Sequence, residues 1–598
     1  MFASVLGTFI AAFAVLFVAF LIIAGIFAAA FSDLDRSQRV TSVKDNSVLY
    51  VKLDRPIVDR GPEQQFNLDF GPFRSVTPIG LDDILDNLDK AAHDDRIEGI
   101  YLEASFPMTG FASLEEIRNA LLKFKESGKW IVSYGEIFSQ SGYYLSSVAD
   151  EMYMYPEGGM EFKGLSTNIA FLKGMFEKLD VDMQVIRGSN NQFKSAVEPF
   201  MLEEMSQANR LQTETWMGSL WRNMLKNISS STDITQDRLE EIANNFELRK
   251  AQDAVDLQMI TALKYEDEVR DVLRNKVGIE DKEKVEMVSL SRYFRASDKR
   301  KSDSPRKSTT RKDKVALIFA SGDIRSGKSS DDGIGSETLA KAIREARKDS
   351  TVKAVVLRVN SPGGSALASD VIWRETALTK EVKPLVVSMG DVAASGGYYI
   401  AGAADRIVAM PGTITGSIGV FGLLPNMKGF FNKKMGITFD GVKTARYADF
   451  GDVTRALSSE EYAIIQEGVD EIYGRFLEVV SEGRQMSTEK VDSIGQGRVW
   501  SGMDALELGL VDELGGMERA IELAAELAEI EDYKLEKLPK RKDPFQAFLE
   551  ELTGEGGDAL LRWQLGEDAL LLKQFKQAQR MRDMRGIQAI LPYHIEIE

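Results

Sequence analysis

The chain has no cysteine. Disulfides, thiol nucleophiles, Cys-ligated zinc and Cys-held iron–sulfur clusters are therefore excluded. Histidine is almost missing too: His93 and His594 are the only two in 598 residues. A Ser-His-Asp triad or a multi-histidine metal site must use one of them or not exist. A general base, if the chain is an enzyme, is expected to be another residue. Neither a metal nor an organic cofactor is expected. Positive charge is also in short supply: 74 Lys+Arg against 92 Asp+Glu give a net charge of −18. That argues against a nucleic-acid partner held by bulk charge.

Charge of either sign is missing from Phe2 to Phe31, which reads FASVLGTFIAAFAVLFVAFLIIAGIFAAAF. At about 1.5 Å per residue, a helix of this length more than crosses a hydrocarbon core of about 30 Å. A cleaved signal peptide is the competing reading, with Ala28-Ala29-Ala30 as a small-residue cleavage site. A signal h-region, however, is only about 7–15 residues long and follows a basic n-region. No Lys or Arg precedes this run. An uncleaved single-pass anchor over residues 1–31 is expected. Arg36, Arg39 and Lys44 come after it. Taken alone, they would place the bulk of the chain in the cytoplasm.

Beyond the anchor the chain reads as a soluble body. Residues 46–290 and 314–540 each alternate strand-like apolar runs with helix-period stretches. Strand-like runs include VALIFA (315–320), KAVVLRV (353–359) and PLVVSM (384–389). Residues 337–349 and 459–483 read as helices. Such alternation predicts an α/β layered fold. Residues 291–313 hold a basic, Ser/Thr-rich stretch, read as a solvated linker rather than a nucleic-acid or headgroup patch. Residues 541–598 form a charged tail with a helix-like segment, ending LPYHIEIE.

The two halves are copies. Residue i aligns with i+255 without a gap from Ile97 to Gly164. Ser133 meets Ser388, Gly142-Tyr143-Tyr144 meets Gly397-Tyr398-Tyr399, and Pro107 and Pro156 meet Pro362 and Pro411. A period this long means tandem domains rather than a solenoid.

The differences between the copies carry the chemistry. The second copy runs from a strand into Asn360-Ser361-Pro362-Gly363-Gly364-Ser365, where the first has Met108-Thr109 in place of the glycines. Two glycines after a strand let the backbone turn sharply and expose N–H groups. The second copy then has Ser395 among Ala393, Ala394, Gly396 and Gly397, opposite Gln140 of the first. A serine flanked only by small residues at a tight turn suits an exposed nucleophile. Ser417 stands where the first copy has Phe162. The second copy offers no base: no lysine lies between Thr444 and Glu489. The first copy has Lys194 in the mostly uncharged stretch Asn191–Phe200, where the second reads RYADF (446–450). Any lysine taken alone is ordinarily a surface residue, and any serine at a turn a packing residue. The asymmetry between the copies points instead to one composite site.

At these residues the chain resembles the signal peptide peptidase A (protease IV) family in its long, duplicated form. The motifs are VNSPGG (359–364), DVAASGGYYIA (391–401), TGSIGV (415–420), FKSAVEPF (193–200) and ALELGLVDELGG (505–516). The resemblance implies ClpP/crotonase-like domains and a Ser/Lys dyad. It also implies cleavage of leftover signal peptides and other apolar peptides at the bacterial inner membrane. A ring-like homo-oligomer, a tetramer, and a body on the periplasmic side come with it. By motif, Ser395 is then the nucleophile, Lys194 the general base, and Ser417 the residue that orients the amine. Backbone N–H groups around Gly363, Gly364 and Gly396 become the oxyanion hole. The chemistry is consistent. An unperturbed lysine has a pKa near 10.4 and must lose its proton to act as a base. Burial favours that loss.

Other readings compete. Gly322–Ser329 matches the phosphate-binding pattern G-x-x-x-x-G-K-[ST] after a strand. Against it, Asp331 and Asp332 come next and a helix is expected only near Ser336. A crotonase-like acyl-CoA enzyme could share the fold, but it would need neither the serine turn nor an anchor. A non-enzymatic membrane scaffold predicts an unreactive Ser395.

Overall fold

The computed structural model describes residues 42–61, 77–280, 283–297, 313–329, 333–540 and 587–591. The expected anchor, most of the basic stretch, the helix-like part of the tail and His594 lie outside the described residues. Among those described, no helix is long and apolar enough to cross a membrane.

The unbroken apolar runs become parallel strands, because a strand covered on both faces has no polar side to show. The first half supplies β1 (Ser47–Lys52), α1 (Leu81–Ala92), β2 (Ile97–Glu103), α2 (Phe111–Glu126), β3 (Trp130–Phe138), α3 (Gln140–Ser146) and β4 (Glu151–Met160). It continues with β5 (Asp182–Arg187), α4 (Gln207–Ser231), β6 (Ala262–Leu263) and β7 (Met287–Ser289). The second supplies β8 (Lys314–Ser321), β9 (Asp323–Arg325), β10 (Gly333–Gly335), α5 (Ser336–Lys348), β11 (Val352–Ser361), β12 (Gly363–Ser365) and α6 (Ala366–Lys380). Then come β13 (Leu385–Ala394), α7 (Gly396–Ala401), β14 (Arg406–Ala409), β15 (Ile414–Gly416), β16 (Phe421–Asn426) and α8 (Ser459–Arg484). β17 (Val499–Ser501), β18 (Glu513–Leu514), α9 (Met517–Leu527), β19 (Lys534–Leu538) and β20 (Ile587–Ile590) complete the order.

The first sheet runs β6-β4-β3-β2-β1-β7, all parallel. The second runs β17-β15-β13-β11-β8-β19, with β14 on β13 and β18 on β14. The offset of 255 maps β2 onto β11, β3 onto β13, and the two ends of β4 onto β14 and β15. Amphipathic helices cover the sheets. On α1, Leu81, Ile84, Leu88 and Ala91 share one buried stripe at helical spacing. They pack with Leu49, Ile100 and Ile131 of the sheet.

A third sheet joins the halves, in the order β10-β9-β12-β20-β16-β5. Here β5 of the first half pairs antiparallel with β16 of the second, from Arg187↔Phe421 to Asp182↔Asn426. The halves are also locked by charge. Arg358, fully buried on β11, donates to Asp59 Oδ1 at 2.8 Å and to Glu116 Oε1 at 2.6 Å. Asp391 on β13 accepts from Ser113 N–H at 2.8 Å and Ser113 Oγ at 2.7 Å.

The Gly322–Ser329 stretch forms no phosphate cradle. Asp323–Arg325 is strand β9. The N–H of Glu337, in the first turn of α5, is taken by Gly327 O at 2.9 Å. The N–H of Gly335, which caps that helix, is taken by Ser329 Oγ at 3.0 Å. A phosphate would have to displace the protein's own acceptors.

Candidate active site

β13 runs through the core and stops at Ser395. That residue has φ 55° and ψ −116°, and α7 begins at the next position. A non-glycine residue held there costs roughly 1–3 kcal/mol and persists only where its surroundings fix it. Ser395 N–H donates to Gly416 O, and its carbonyl accepts from Tyr399 N–H, each at 2.8 Å. The small neighbours have a steric cause. A Cβ on Gly397 would lie 2.5 Å from Ser361 O, and one on Gly396 2.6 Å from Ser369 Oγ.

The first half delivers Lys194 between β5 and α4. The segment is clasped by the second half. Phe193 N–H donates to Gln496 O at 2.9 Å. Asn191 Nδ2 donates to Val420 O at 3.1 Å. Gln212 of α4 donates to Phe193 O at 3.1 Å and Ser195 Oγ at 2.9 Å, while its Oε1 accepts from Val499 N–H at 3.1 Å. Gly497 lets the two backbones touch. It has φ +79°, and a Cβ there would sit 2.6 Å from both Cα and Cβ of Lys194. Arg498 closes one wall, its guanidinium 4.0 Å from the Trp500 ring centroid and 4.9 Å from that of Phe193.

The clasp brings the three candidate side chains together. Lys194 Nζ lies 2.8 Å from Ser395 Oγ, 3.0 Å from Ser417 Oγ and 3.2 Å from Ser417 O. All three residues are completely buried. Burial alone pushes the Lys194 amine well below the ordinary lysine value. Ser417 is itself held in a left-handed conformation, φ 49°, with its N–H on Arg498 O.

Two of the three candidate oxyanion glycines converge. A Cβ on Gly363, where φ is +100°, would lie 2.7 Å from Gly396 N. Gly363 N–H also donates to Ser361 Oγ at 3.2 Å. Gly364 abuts a different strand, Ile324 of β9, with which it pairs. The same hypothetical Gly363 Cβ lies 2.1 Å from the carbonyl oxygen of Ala589 in β20.

In the first half the corresponding place is closed. Gln140 Oε1 accepts from Lys163 N–H and Gly164 N–H, both at 3.0 Å. Phe162 packs its ring against Tyr143 and Trp221. His93 stands apart at the end of α1, its side chain 60% exposed and its Nδ1 2.8 Å from Asp89 O. Sequence reasoning missed Gln212, Gly497 and β20. The i+255 alignment stops at Gly164 and gives no signal for any of them.

Residues 123–280 and 377–531 both match the model of peptidase family S49. The chain is 37% identical over 483 residues to "Protease 4" of Salmonella typhi, covering 79% of this chain and 76% of that protein. It is 33% identical over 525 residues to "Serine protease SPPA, chloroplastic" of Arabidopsis thaliana, covering 87% and 74%. A solved ClpP1 mutant from Listeria monocytogenes, 15% identical and covering 34% of this chain and 94% of its own, gives a TM-score of 0.24, too low to speak for a shared fold. On the matched domains and these relatives, the chain belongs to peptidase family S49.

Proposed function

We propose that the chain is a serine endopeptidase whose dyad is Ser395 and Lys194. One observation carries this: the Lys194 amine is fully buried and its partners are Ser395 Oγ, Ser417 Oγ and Ser417 O. A neutral amine has two N–H groups and one lone pair. The two N–H groups match the two Ser417 oxygens. The lone pair is left for the Ser395 hydroxyl proton. A charged ammonium would have no lone pair for that proton and no counter-ion among these partners.

Ser395 Oγ attacks a peptide carbonyl and passes its proton to Lys194 Nζ. Backbone N–H groups around Gly363 and Gly396 are the donors offered to the developing oxyanion, the Gly363 N–H leaving Ser361 Oγ to reach it. Removing one such donor typically costs about 10²–10³ in rate. Lys194 then gives the proton to the leaving amine, and water resolves the acyl-enzyme by the same route in reverse. The finer reading includes two ClpP/crotonase-like units, an anchor at residues 2–31, signal peptides and other apolar peptides as substrates, and a homo-oligomer, a tetramer, with its body on the periplasmic side. It is supported by the apolar run, the duplicated motifs and the family.

The test is hydrolysis of a fluorogenic peptide, with an apolar residue before the scissile bond, by the full-length chain. Ser395→Ala and Lys194→Ala are expected to abolish it while circular dichroism still shows a folded chain. Full activity in Lys194→Ala sinks the dyad.

A further inference from the structure

The segment that carries Lys194 is held by a line of buried polar side chains that the dyad itself does not use. Glu198 comes four residues after Lys194 and is almost completely buried, as are Asn209 and Gln212 on one face of α4. Glu198 does not meet the Lys194 amine, whose partners are Ser395 and Ser417. Ser206 Oγ donates to Glu198 Oε1 at 2.6 Å, while Ser206 N–H and Asn209 Nδ2 donate to Oε2 at 3.2 and 2.9 Å. Asn209 Oδ1 accepts in turn from Gln212 Nε2 at 3.2 Å. Gln212 Nε2 also donates to Phe193 O at 3.1 Å and Ser195 Oγ at 2.9 Å, the residues on either side of Lys194. Its Oε1 accepts from Val499 N–H at 3.1 Å.

The direction of this line is set from one end. A carboxylate accepts hydrogen bonds and has none to give. Asn209 must therefore turn its amide nitrogen to Glu198 and its oxygen to Gln212. Gln212 must answer with its nitrogen, which the Phe193 carbonyl also requires. Only its oxygen is left for Val499. Reversing the Gln212 amide would set oxygen against oxygen at Phe193 and N–H against N–H at Val499. The far end reaches the two serines. Val499 pairs with Gly416 across β17 and β15. Gly416 O accepts the Ser395 N–H, and Ser417 is the next residue. One amide thus spans from both flanks of the lysine to the strand pair that places both serines. A helix face needed only for packing would carry apolar side chains, as α4 does at Trp216, Leu220, Met224 and Ile228. None of the three polar side chains has a buried nitrogen or oxygen without a partner, and a fully satisfied buried network is rigid.

We propose that Gln212 and Glu198 are positioning residues for the dyad. Gln212 ties both flanks of Lys194 to the strand pair of Ser395 and Ser417. Glu198, acting through Asn209, sets which way the Gln212 amide faces. This rests on the dyad reading above. Neither side chain meets the Lys194 amine or the Ser395 hydroxyl, so losing either changes the placing of the amine and not the binding of peptide.

Peptide hydrolysis by full-length variants tests this, with kcat and KM measured separately and circular dichroism reporting the fold. Gln212→Met keeps the length of the side chain and removes every hydrogen bond its amide makes. It should lower kcat by roughly 10- to 100-fold and leave KM within about twofold of wild type. Glu198→Met should match it. Glu198→Gln still offers Asn209 an oxygen and should keep most of the wild-type kcat. The double variant Glu198→Met/Gln212→Met should be no slower than Gln212→Met alone, because residues acting in one line are not additive. Should a methionine variant not fold, Asn209→Leu cuts the line at its middle and is read the same way. A folded Gln212→Met chain with wild-type kcat and only a lowered Tm overturns the proposal and leaves the dyad standing. A raised KM with kcat retained does the same. Losses that multiply in the double variant, or Glu198→Gln as slow as Glu198→Met, overturn the action of Glu198 through Gln212. Full activity in Lys194→Ala overturns the dyad and this inference with it.

Discussion

One methyl group at position 497 is expected to silence the site and leave the chain folded. Gly497 belongs to the second half and touches no reacting atom. Yet a Cβ there would fall 2.6 Å from Lys194 Cα and Cβ and 2.7 Å from its N. Carbon atoms in contact prefer about 3.5–4.0 Å. The Lys194 backbone must therefore withdraw by roughly 1 Å, and the obstacle is main chain rather than the end of a flexible side chain. The residue also sits at φ +79°, where an L side chain costs about 1–2 kcal/mol. Overpacking adds about 1–3 kcal/mol. The sum, about 2–5 kcal/mol, is less than the stability of most domains, about 5–15 kcal/mol.

The chemistry is less forgiving. A shift of 1 Å in a positioned group can cost about 10²-fold in rate. Gly497→Ala should therefore lower kcat by about two orders of magnitude, while circular dichroism shows a native spectrum and a lowered Tm. Peptide hydrolysis gives the first number and the melt the second. Near-wild-type kcat with a lowered Tm would refute the reasoning. It would mean that the lysine reaches its serine without the backbone gap at 497.

Three further outcomes are expected from the same structure. With burial holding the Lys194 amine below its usual value, the reactive neutral form exists well under pH 10.4. kcat/KM should rise with pH and level off below that value, and a profile falling over this range would contradict a lysine base. Stability moves the same way. Between the lowered folded pKa and the ordinary unfolded one, the unfolded chain binds the extra proton. Folding is then favoured by about 1.4 kcal/mol per unit of rising pH, and this is lost as pH falls through the window. Arg358→Met strands Asp59 and Glu116 without their buried counter-charge, so the loss should be about 3–5 kcal/mol by chemical denaturation. Burial raises the Glu116 pKa, so mild acid should shrink that loss; an unchanged midpoint would show the pair to be idle. Gly474→Ala on α8 has open space for its Cβ and should raise stability by about 0.5–1 kcal/mol without changing kcat.

The repeat was legible because it is local. Apolar runs such as 353–359 and 384–389 have the length and composition of buried strands, and their copies lie at a constant offset. The tight turn at Ser395 was legible too, since only small residues fit around Ser361 O and Ser369 Oγ. The placing of Lys194 beside Ser395, 201 residues away, was legible only as an asymmetry between copies. What brings them together is the β5–β16 pairing and the clasp at 496–499, and neither leaves a periodic trace. A register between strands more than 200 residues apart is set by tertiary packing, not by the alternation within either strand. Ile587–Ile590 was invisible for a related reason. Four residues, IQAI, inside a charged tail give too short a pattern to separate strand from helix.

The proposed dyad is divided between two halves, and such a site demands that the halves not rotate. A reacting pair must be held within about 0.5 Å, and a loose interface between domains would not do that. In the first half the place corresponding to Ser395 and Ser417 is filled by Gln140 and Phe162. The buried Gln140 supplies one carbonyl to both Lys163 and Gly164. Phe162 is buried beside it, against Tyr143 and Trp221. The outer elements of the first half serve as anchor points. Ser113 on α2 holds Asp391, four residues before Ser395 and on the strand that ends just ahead of it. Glu116 on α2 holds Arg358 and also accepts from Met517 N–H at 2.7 Å. The strand that leads to Ser395 is thus bonded directly to the half that carries Lys194. On the proposed dyad, the first half would fix the distance between Lys194 and Ser395 through these bonds to the second.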